Sequence, residues 1–295
     1  MNTMIIEQEF EYVKPGSLFE ALDILAQTNN VKIYAGGTDL IVKLKTSGIN
    51  MDAMMDINGI PELSELTASG GNGLVIGSAV KLSRIEKHPA VKSNYSALFE
   101  ALMSMASVSV RNMGTLGGNL ANASPAADTA GPVICYKGIL ELMSRSGIRE
   151  VPAEDFFISS GVSAIRPDEL LTRIKLPAVN KNTGAKFIKT GRVKSDIAKV
   201  SFTVVIEREG SKIKSCRAAA GSAAAKPVYL RTVSESLKGR IMTRELITET
   251  VDRIAGIIEP IDDQRTTAEY RKELIKVIAA DAFSKAWSLS GGKLI

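Results

Sequence analysis

"YAGGTDL", Tyr34 to Leu40, sits between two apolar runs. The run before it, "VKIYA", has the β-branched and aromatic content of a short strand, and the run after it, "DLIVKLKTSG", reads as a helix entered from the turn. Two adjacent glycines, a hydroxyl and a carboxylate therefore stand where a strand hands over to a helix. A second stretch, "NMGTLGGNLANASPAAD", Asn112 to Asp128, repeats the theme. Backbone N–H groups are the densest donors a chain owns, and glycine lets them approach a ligand closely and turn to one side. A helix starting just beyond adds unpaired amides and the positive end of its dipole. Ala35-Gly36-Gly37-Thr38-Asp39 meets that description, and Gly114-Thr115-Leu116-Gly117-Gly118-Asn119 meets it again. Two such loops suit a ligand with two charged groups, such as a pyrophosphate.

Neither loop is a standard fingerprint. The dinucleotide pattern G-x-G-x-x-G is not the one found here, and no G-x-x-x-x-G-K-[ST] occurs. "GGNG", Gly70 to Gly73, reads as a hairpin turn. Alone, each Gly-Gly pair is a tight turn under a packed helix. Together, each with a hydroxyl and a polar amide or acid close by, they favour a bound ligand.

Working outward, "FEYVKP" reads as a short strand stopped by Pro15, and Ser17 with Glu20 has the spacing of a capping box. Leu18, Ala21, Leu22 and Leu25 then share one helical face. Strand, helix, strand, turn, helix in that order predicts a small α/β unit. "YSALFEALMSMAS" is helical by period, with Leu98, Ala101, Leu102 and Met105 on one side, and a helix is expected from Ala126 to Tyr136, begun by Ser124-Pro125. Beyond Pro177 the pattern becomes three strands, "GAKFIKTG", "KVSFTVVIERE" and "KIKSCRAAAGSAA", followed by two helices. In the last helix Tyr270, Leu274, Val277 and Ile278 form an apolar stripe expected to face the core. The fold class is thus α+β, with a boundary near Pro177 and another between Asp56 and Leu66.

Of the 295 residues 45% are hydrophobic and 23% charged, ordinary for a soluble domain protein. No apolar run is long enough to span a bilayer, and "MNTMIIEQEFEYVKP" lacks the plan of a signal peptide, so a cytoplasmic protein is expected. Lys plus Arg number 37 against 32 Asp plus Glu, a net +5 read as solvated surface, and 5% aromatics offer no stacking platform for nucleic acid. The two cysteines, Cys135 and Cys216, lie far apart in apolar or small-residue contexts, and the single histidine, His88, reads as a surface turn residue beside Pro89, so zinc chemistry and a Cys-His or Ser-His-Asp centre are not expected. No catalytic acid, base or metal ligand is assigned. Hard chemistry in such a chain falls to an organic cofactor.

"AGGTDL" with "RNMGTLGGNLANASPAAD" resembles the FAD-binding subunit of the molybdenum hydroxylases, the xanthine dehydrogenase, carbon monoxide dehydrogenase and nicotinate dehydrogenase type enzymes. "ELLTRIKLP" with "FIKTGRVKSDIAKVS", and the C-terminal "AEYRKELIKVIAADAF", extend the resemblance over nearly the whole chain. It implies a two-part FAD domain of the vanillyl-alcohol-oxidase (PCMH) type, residues 1–60 and 61–176. An α+β C-terminal domain of the CO dehydrogenase flavoprotein type, an antiparallel sheet with helices, would follow at 177–295. It implies that Ile33, Tyr34, Ala35, Gly36, Gly37, Thr38, Asp39 and Leu40 wrap the FAD pyrophosphate. Thr115, Leu116, Gly117, Gly118 and Asn119 would complete the cradle. Asp128 would bond the flavin nucleotide, Leu171 would pack on the flavin ring, and Ala106 would offer backbone contact. Lys189 would lie by the isoalloxazine's polar edge; a solvated strand lysine is its plain alternative. Molybdopterin and two [2Fe–2S] clusters are then expected on separate large and small subunits. Electrons would pass from the clusters through FAD to NAD⁺ or another acceptor. A self-contained flavin oxidoreductase and a flavin-free scaffold subunit stay open as rivals.

Overall fold

The computed structural model describes residues 8–47, 49–69, 71 and 73–295. The first seven residues, Gly48 at the end of the expected helix, and Gly70 and Asn72 of the expected hairpin turn lie outside the described residues.

Among the described residues three larger sheets and one two-stranded pair organise the chain. The first is built from β1 (Glu11–Val13), α1 (Leu18–Gln27), β2 (Val31–Tyr34), α2 (Leu40–Ser47) and β3 (Ala53–Asp56). Its strand order is β1-β3-β2, all parallel, with Tyr12 and Lys32 both opposite Met54. The Ser17 hydroxyl caps α1 by accepting from the Glu20 amide. Glu20 returns one residue further than in a standard box, to the Gly16 amide at 2.8 Å. Ala21, Leu22 and Leu25 are buried as the period requires, against Met55, Ile57, Ile60 and Leu63.

A 3₁₀ turn, Pro61–Ser64, leads to the second unit. Its strands are β4 (Leu66–Ser69), β5 (Gly73–Gly77), β6 (Ile139–Ser144), β7 (Gly147–Pro152) and, after the small β8 (Phe157–Ser159) and β9 (Val162–Ser163) pair, β10 (Leu170–Leu176). They form an antiparallel sheet in the order β4-β5-β10-β6-β7. Between β5 and β6 run six short helices: α3 (Leu82–Lys87), α4 (Pro89–Asn94), α5 (Ser96–Ser104), α6 (Val108–Met113), α7 (Leu116–Ala121) and α8 (Ala130–Cys135). A last short helix, α9 (Ala153–Phe156), follows β7. Leu98, Ala101, Leu102 and Met105 bury the expected face of α5.

Two local expectations change here. The helix expected from Ala126 begins only at Ala130, because Ser124 to Ala127 closes a turn of its own, Ala127 N–H to Ser124 C=O at 3.0 Å. The second glycine pair is not a loop ahead of a helix. Thr115 is the N-cap, so Gly117 and Gly118 fall inside the first turn of α7.

The third sheet, β11 (Thr183–Thr190), β12 (Val200–Glu209), β13 (Lys212–Gly221) and β14 (Val228–Tyr229), is antiparallel in chain order. It is accompanied by α10 (Arg231–Ser236), α11 (Arg244–Ile257) and α12 (Ala268–Leu289). Strand β14 and helix α10 are too short to carry a clear periodic signal in the sequence. The core of this unit takes Phe202, Val204 and Ile206 from β12 and Ile275, Ile278, Phe283 and Trp287 from α12. The predicted α12 stripe is therefore rotated. Ile278 is buried, but Tyr270 and Val277 are 49% and 69% exposed, and Arg271 takes the inward place. There Arg271 Nη1 donates to the carbonyls of Lys199 (2.7 Å) and Ser222 (2.8 Å) and Nη2 is paired with Asp263, while Nε finds no hydrogen-bond partner among the described residues.

Candidate functional site

The turn Ala35 to Asp39 joins β2 to α2. Gly37 has φ +68°, a conformation glycine takes freely. The Tyr34 ring lies directly beneath it: a β-carbon at Gly37 would stand 2.5 Å from Tyr34 Cε2. Tyr34 thus props the turn, and Leu40 packs beside it on Leu44, Met51 and Met54. Among the described residues, the amides of Gly36, Gly37, Thr38 and Asp39 find no acceptor. These are half-buried positions, apart from the exposed Asp39, so the donors lie within reach of solvent rather than sealed in a core.

The two glycine stretches touch. A β-carbon on Gly36 would lie 2.5 Å from the Met113 carbonyl and 2.7 Å from Gly114 Cα. Their donor inventories differ, however. In the second stretch the Leu116 amide is bonded to Val80 C=O, Gly117 to Ser78 C=O, Gly118 to Thr115 Oγ1 and Asn119 to Thr115 C=O. Gly117 is needed for packing, since a β-carbon would meet Ser78 at 2.6 Å. The first turn therefore brings free donors, and the second brings close approach and side chains. Lys43 Nζ on α2 reaches Asn122 Oδ1 at 2.5 Å and ties the two together.

From this seam the remaining candidate residues follow in a connected series. Ser78, which holds Gly117, donates its own amide to Thr172 C=O at 2.9 Å. Thr172 lies at the bulge of β10 next to Leu171, which is buried in the main core opposite Leu142. Asn119 Oδ1 accepts from Thr129 Oγ1 at 2.6 Å, which places Asp128 alongside. Asp128 Oδ2 is 2.7 Å from Lys189 Nζ, and the same ammonium donates to Ser104 C=O (2.7 Å) and Asp196 C=O (3.1 Å). Ala106 follows at the end of α5 with φ +44°, its carbonyl held by Arg111, itself paired to Glu86. Ile33 stays in the ladder opposite Met55.

Lys189 is not a solvated strand lysine. Its side chain is 3% exposed and that of Asp128 7%. Burial pushes the Asp128 carboxyl up to about 6, with Lys189 acting against the rise. Asp128 Oδ1 is buried and finds no hydrogen-bond partner among the described residues. A buried carboxylate oxygen left open is costly unless a donor arrives. This is the kind of acceptor a ligand hydroxyl or N–H fills.

Beneath the first turn lies a network that sequence reasoning missed. Tyr12 Oη donates to Asp56 Oδ2 (2.6 Å), and Asp56 Oδ1 accepts from the amide (2.9 Å) and Nδ2 (2.7 Å) of Asn58. Asn58 Nδ2 also reaches the Ala35 carbonyl at 2.7 Å, and Lys81 Nζ donates to Asn58 Oδ1 at 2.7 Å. Burial works to raise the Asp56 carboxyl, but the bonds from Tyr12 and Asn58 hold it below its ordinary value. Burial pushes the Lys81 ammonium down, with Asp56 opposing. The only trace in the sequence is Asn58-Gly59, a generic turn signal.

Neither thiol joins this site. Cys135 and Cys216 are buried, and burial pushes Cys216 up to about 12 and Cys135 higher still. A surface cavity of about 360 Å³ at the far end of β12 holds Lys181, Arg208 and Lys214. There Lys214 is paired with Glu207, and Arg208 is bonded to the carbonyls of Ser290 and Gly210. No helix of the described residues is long and apolar enough to cross a membrane.

The family described as FAD binding domain in molybdopterin dehydrogenase matches residues 8–179, more than half of the chain, and the CO dehydrogenase flavoprotein C-terminal domain matches 185–286. The chain belongs to the FAD-binding medium subunits of the molybdenum hydroxylases. It is 32% identical to the glyceraldehyde dehydrogenase medium chain of Sulfolobus acidocaldarius, over 94% of this chain and 98% of that one. To the caffeine dehydrogenase subunit beta of Pseudomonas sp. strain CBB1 it is 30% identical, over 94% of each. The carbon monoxide dehydrogenase of Hydrogenophaga pseudoflava superposes with a TM-score of 0.93 at 29% identity, covering 97% of this chain and 99% of that one. Membership of this family makes the chain an oxidoreductase flavoprotein subunit with FAD as its cofactor. The expected α+β architecture, with a two-part flavin domain before an antiparallel sheet with helices, is the one observed.

Proposed function

We propose that this chain holds FAD along the seam between its two glycine stretches and serves as the electron-transfer subunit of a molybdopterin-dependent hydroxylase. The observation that carries this reading is the run of four amides, Gly36 to Asp39, without an acceptor among the described residues and set against Gly114, with a buried acceptor at Asp128 further along that likewise has no partner among them. In this reading Ile33 to Leu40 take the pyrophosphate. Thr115 to Asn119 close on it through side chains and close approach. Asp128 Oδ1 receives a hydroxyl or N–H of the nucleotide. Leu171 backs the ring, Ala106 lends a backbone contact, and Lys189 fixes the Asp128 carboxylate and stands as a cation by the flavin. Bound flavin supplies a centre that takes electrons singly and gives them in pairs. The chain supplies position, charge and exclusion of water, and no acid–base residue of its own is needed.

Residues 1–60 and 61–176 are then the two parts of the flavin domain and 177–295 the C-terminal domain, a division supported by the separation of the three larger sheets. Relatives named medium chain or subunit beta imply further subunits. In our reading a large subunit carries molybdopterin and a small one the [2Fe–2S] clusters, and NAD⁺ or another acceptor receives the electrons. The relatives' names include glyceraldehyde, carbon monoxide and caffeine dehydrogenases, at 29–32% identity, so this chain is the shared part rather than the part that selects substrate.

Titrating the flavin-free chain with FAD tests the proposal. Saturable quenching of flavin fluorescence and a yellow product after gel filtration are expected. A colourless product with no quenching would leave only the scaffold role.

A further inference from the structure

The network beneath the first turn has no ligand of its own, yet it ends on a single atom of that turn. The Ala35 carbonyl accepts from Asn58 Nδ2 at 2.7 Å and faces Lys81 Nζ at 3.5 Å. No cis peptide occurs among the described residues. In a trans peptide the C=O and the following N–H point in opposite directions. Fixing the Ala35 carbonyl towards Asn58 therefore aims the Gly36 N–H away from it, and that amide is the first of the four without an acceptor.

Asn58 can do this only because its own amide is held. Its backbone N–H and Nδ2 both donate to Asp56 Oδ1, its Oδ1 accepts from Lys81, and Tyr12 holds the other Asp56 oxygen. Asp56 is 6% exposed and ends the fully buried strand β3, so the network is anchored in the sheet rather than in a loop. Lys81 sits opposite Thr115 in an isolated β-bridge, which is how the same network reaches the second glycine stretch. The turn would otherwise be soft, because its glycines are permissive.

We propose that Asn58, braced by Asp56, Tyr12 and Lys81, is a positioning residue that presets the Ala35–Gly36 peptide for the pyrophosphate before FAD arrives. This rests on the flavin reading above and adds a residue that touches no part of the ligand. Lys81 adds a positive charge behind the same peptide, which favours an anion in front of it.

The test uses the full-length flavin-free chain, titrated with FAD and with ADP, which shares the pyrophosphate but lacks the flavin. Asn58→Leu keeps the size and removes the donors. The expected result is a loss of about tenfold in affinity for both ligands by the same factor. At saturating FAD the flavin absorption bands and reduction potential stay at their wild-type values, because the ring environment is untouched. Equal affinity in N58L and wild type overturns the proposal. So does a loss confined to FAD, or one accompanied by shifted flavin bands, since either marks general damage. Should N58L fail to fold, Lys81→Met carries the test: equal losses for FAD and ADP support the proposal, and unchanged affinity overturns it. A wild-type chain that binds neither ligand overturns the flavin reading and this inference with it, whereas wild-type binding with insensitive variants overturns this inference alone.

Discussion

Gly36→Ala probes the seam directly. The added β-carbon would stand 2.5 Å from the Met113 carbonyl oxygen, 2.7 Å from Gly114 Cα and 3.0 Å from Gly114 N. Unstrained heavy-atom contacts begin near about 3.5 Å, so the two stretches must part by roughly 1 Å. Neither side gives easily. Gly114 is held by its amide to Val110 C=O (2.7 Å) and by its carbonyl from Leu82 N–H (2.9 Å), and Ala35 is held by Asn58. Overpacking against backbone costs about 1–3 kcal/mol of stability. The effect on FAD is separate. If parting the stretches costs one hydrogen bond to a charged phosphate, about 1.5–3 kcal/mol, affinity falls about tenfold to a hundredfold. Fluorescence-quenching titration measures that loss, with urea unfolding of the same preparation to show the chain is folded. Gly256→Ala, where a β-carbon meets nothing within 4 Å, is the control. A folded G36A chain that binds FAD like wild type would refute the idea that both stretches meet on one ligand.

The Asp128–Lys189 pair gives two further predictions. The Asp128 carboxyl titrates near 6 when folded against 3.8 ordinarily, so between those values the unfolded chain binds fewer protons than the folded one. Stability from this group is therefore greatest below its unfolded value and is lost as pH rises to about 6, by on the order of 3 kcal/mol. In urea unfolding of the flavin-free chain, Asp128→Asn should lose that component of the slope; parallel wild-type and variant curves from pH 4 to pH 7 would contradict it. Lys189→Met leaves the Asp128 charge buried without its partner and frees the carbonyls of Ser104 and Asp196, costing about 3–5 kcal/mol at neutral pH by the same assay. A cost under about 1 kcal/mol, the size of a surface pair, would contradict the burial. Gly256→Ala, at an exposed position in α11, should stabilise by about 0.5–1 kcal/mol and raise the melting temperature by a few degrees, as a helix propensity effect alone.

Local signals in the sequence are reliable where the physics is local. Ser17 caps α1 because its hydroxyl and the Glu20 amide are three residues apart, and nothing distant can change that. The Gly36-Gly37 turn is legible for the same reason, lying between a strand and a helix that periodicity finds. What sequence reading misplaces depends on partners far along the chain. Gly117 and Gly118 look like donors to a ligand. Ser78, thirty-nine residues before Gly117, takes that amide and fills the space a side chain would need. In α12 the apolar stripe falls one position off because an arginine is expected to face water. Arg271 turns inward because two carbonyls and Asp263 await it, and Tyr270 turns out, its ring facing the Lys199 ammonium at 5.5 Å. Lys189 and Asn58 show the same limit from the functional side. Each is an ordinary polar residue in its own stretch, and each finds its partner only in a carbonyl or carboxylate brought to it by another segment. A glycine turn can be read from its neighbours, whereas the groups that hold it in one orientation can be read only after the sheet beneath it has formed.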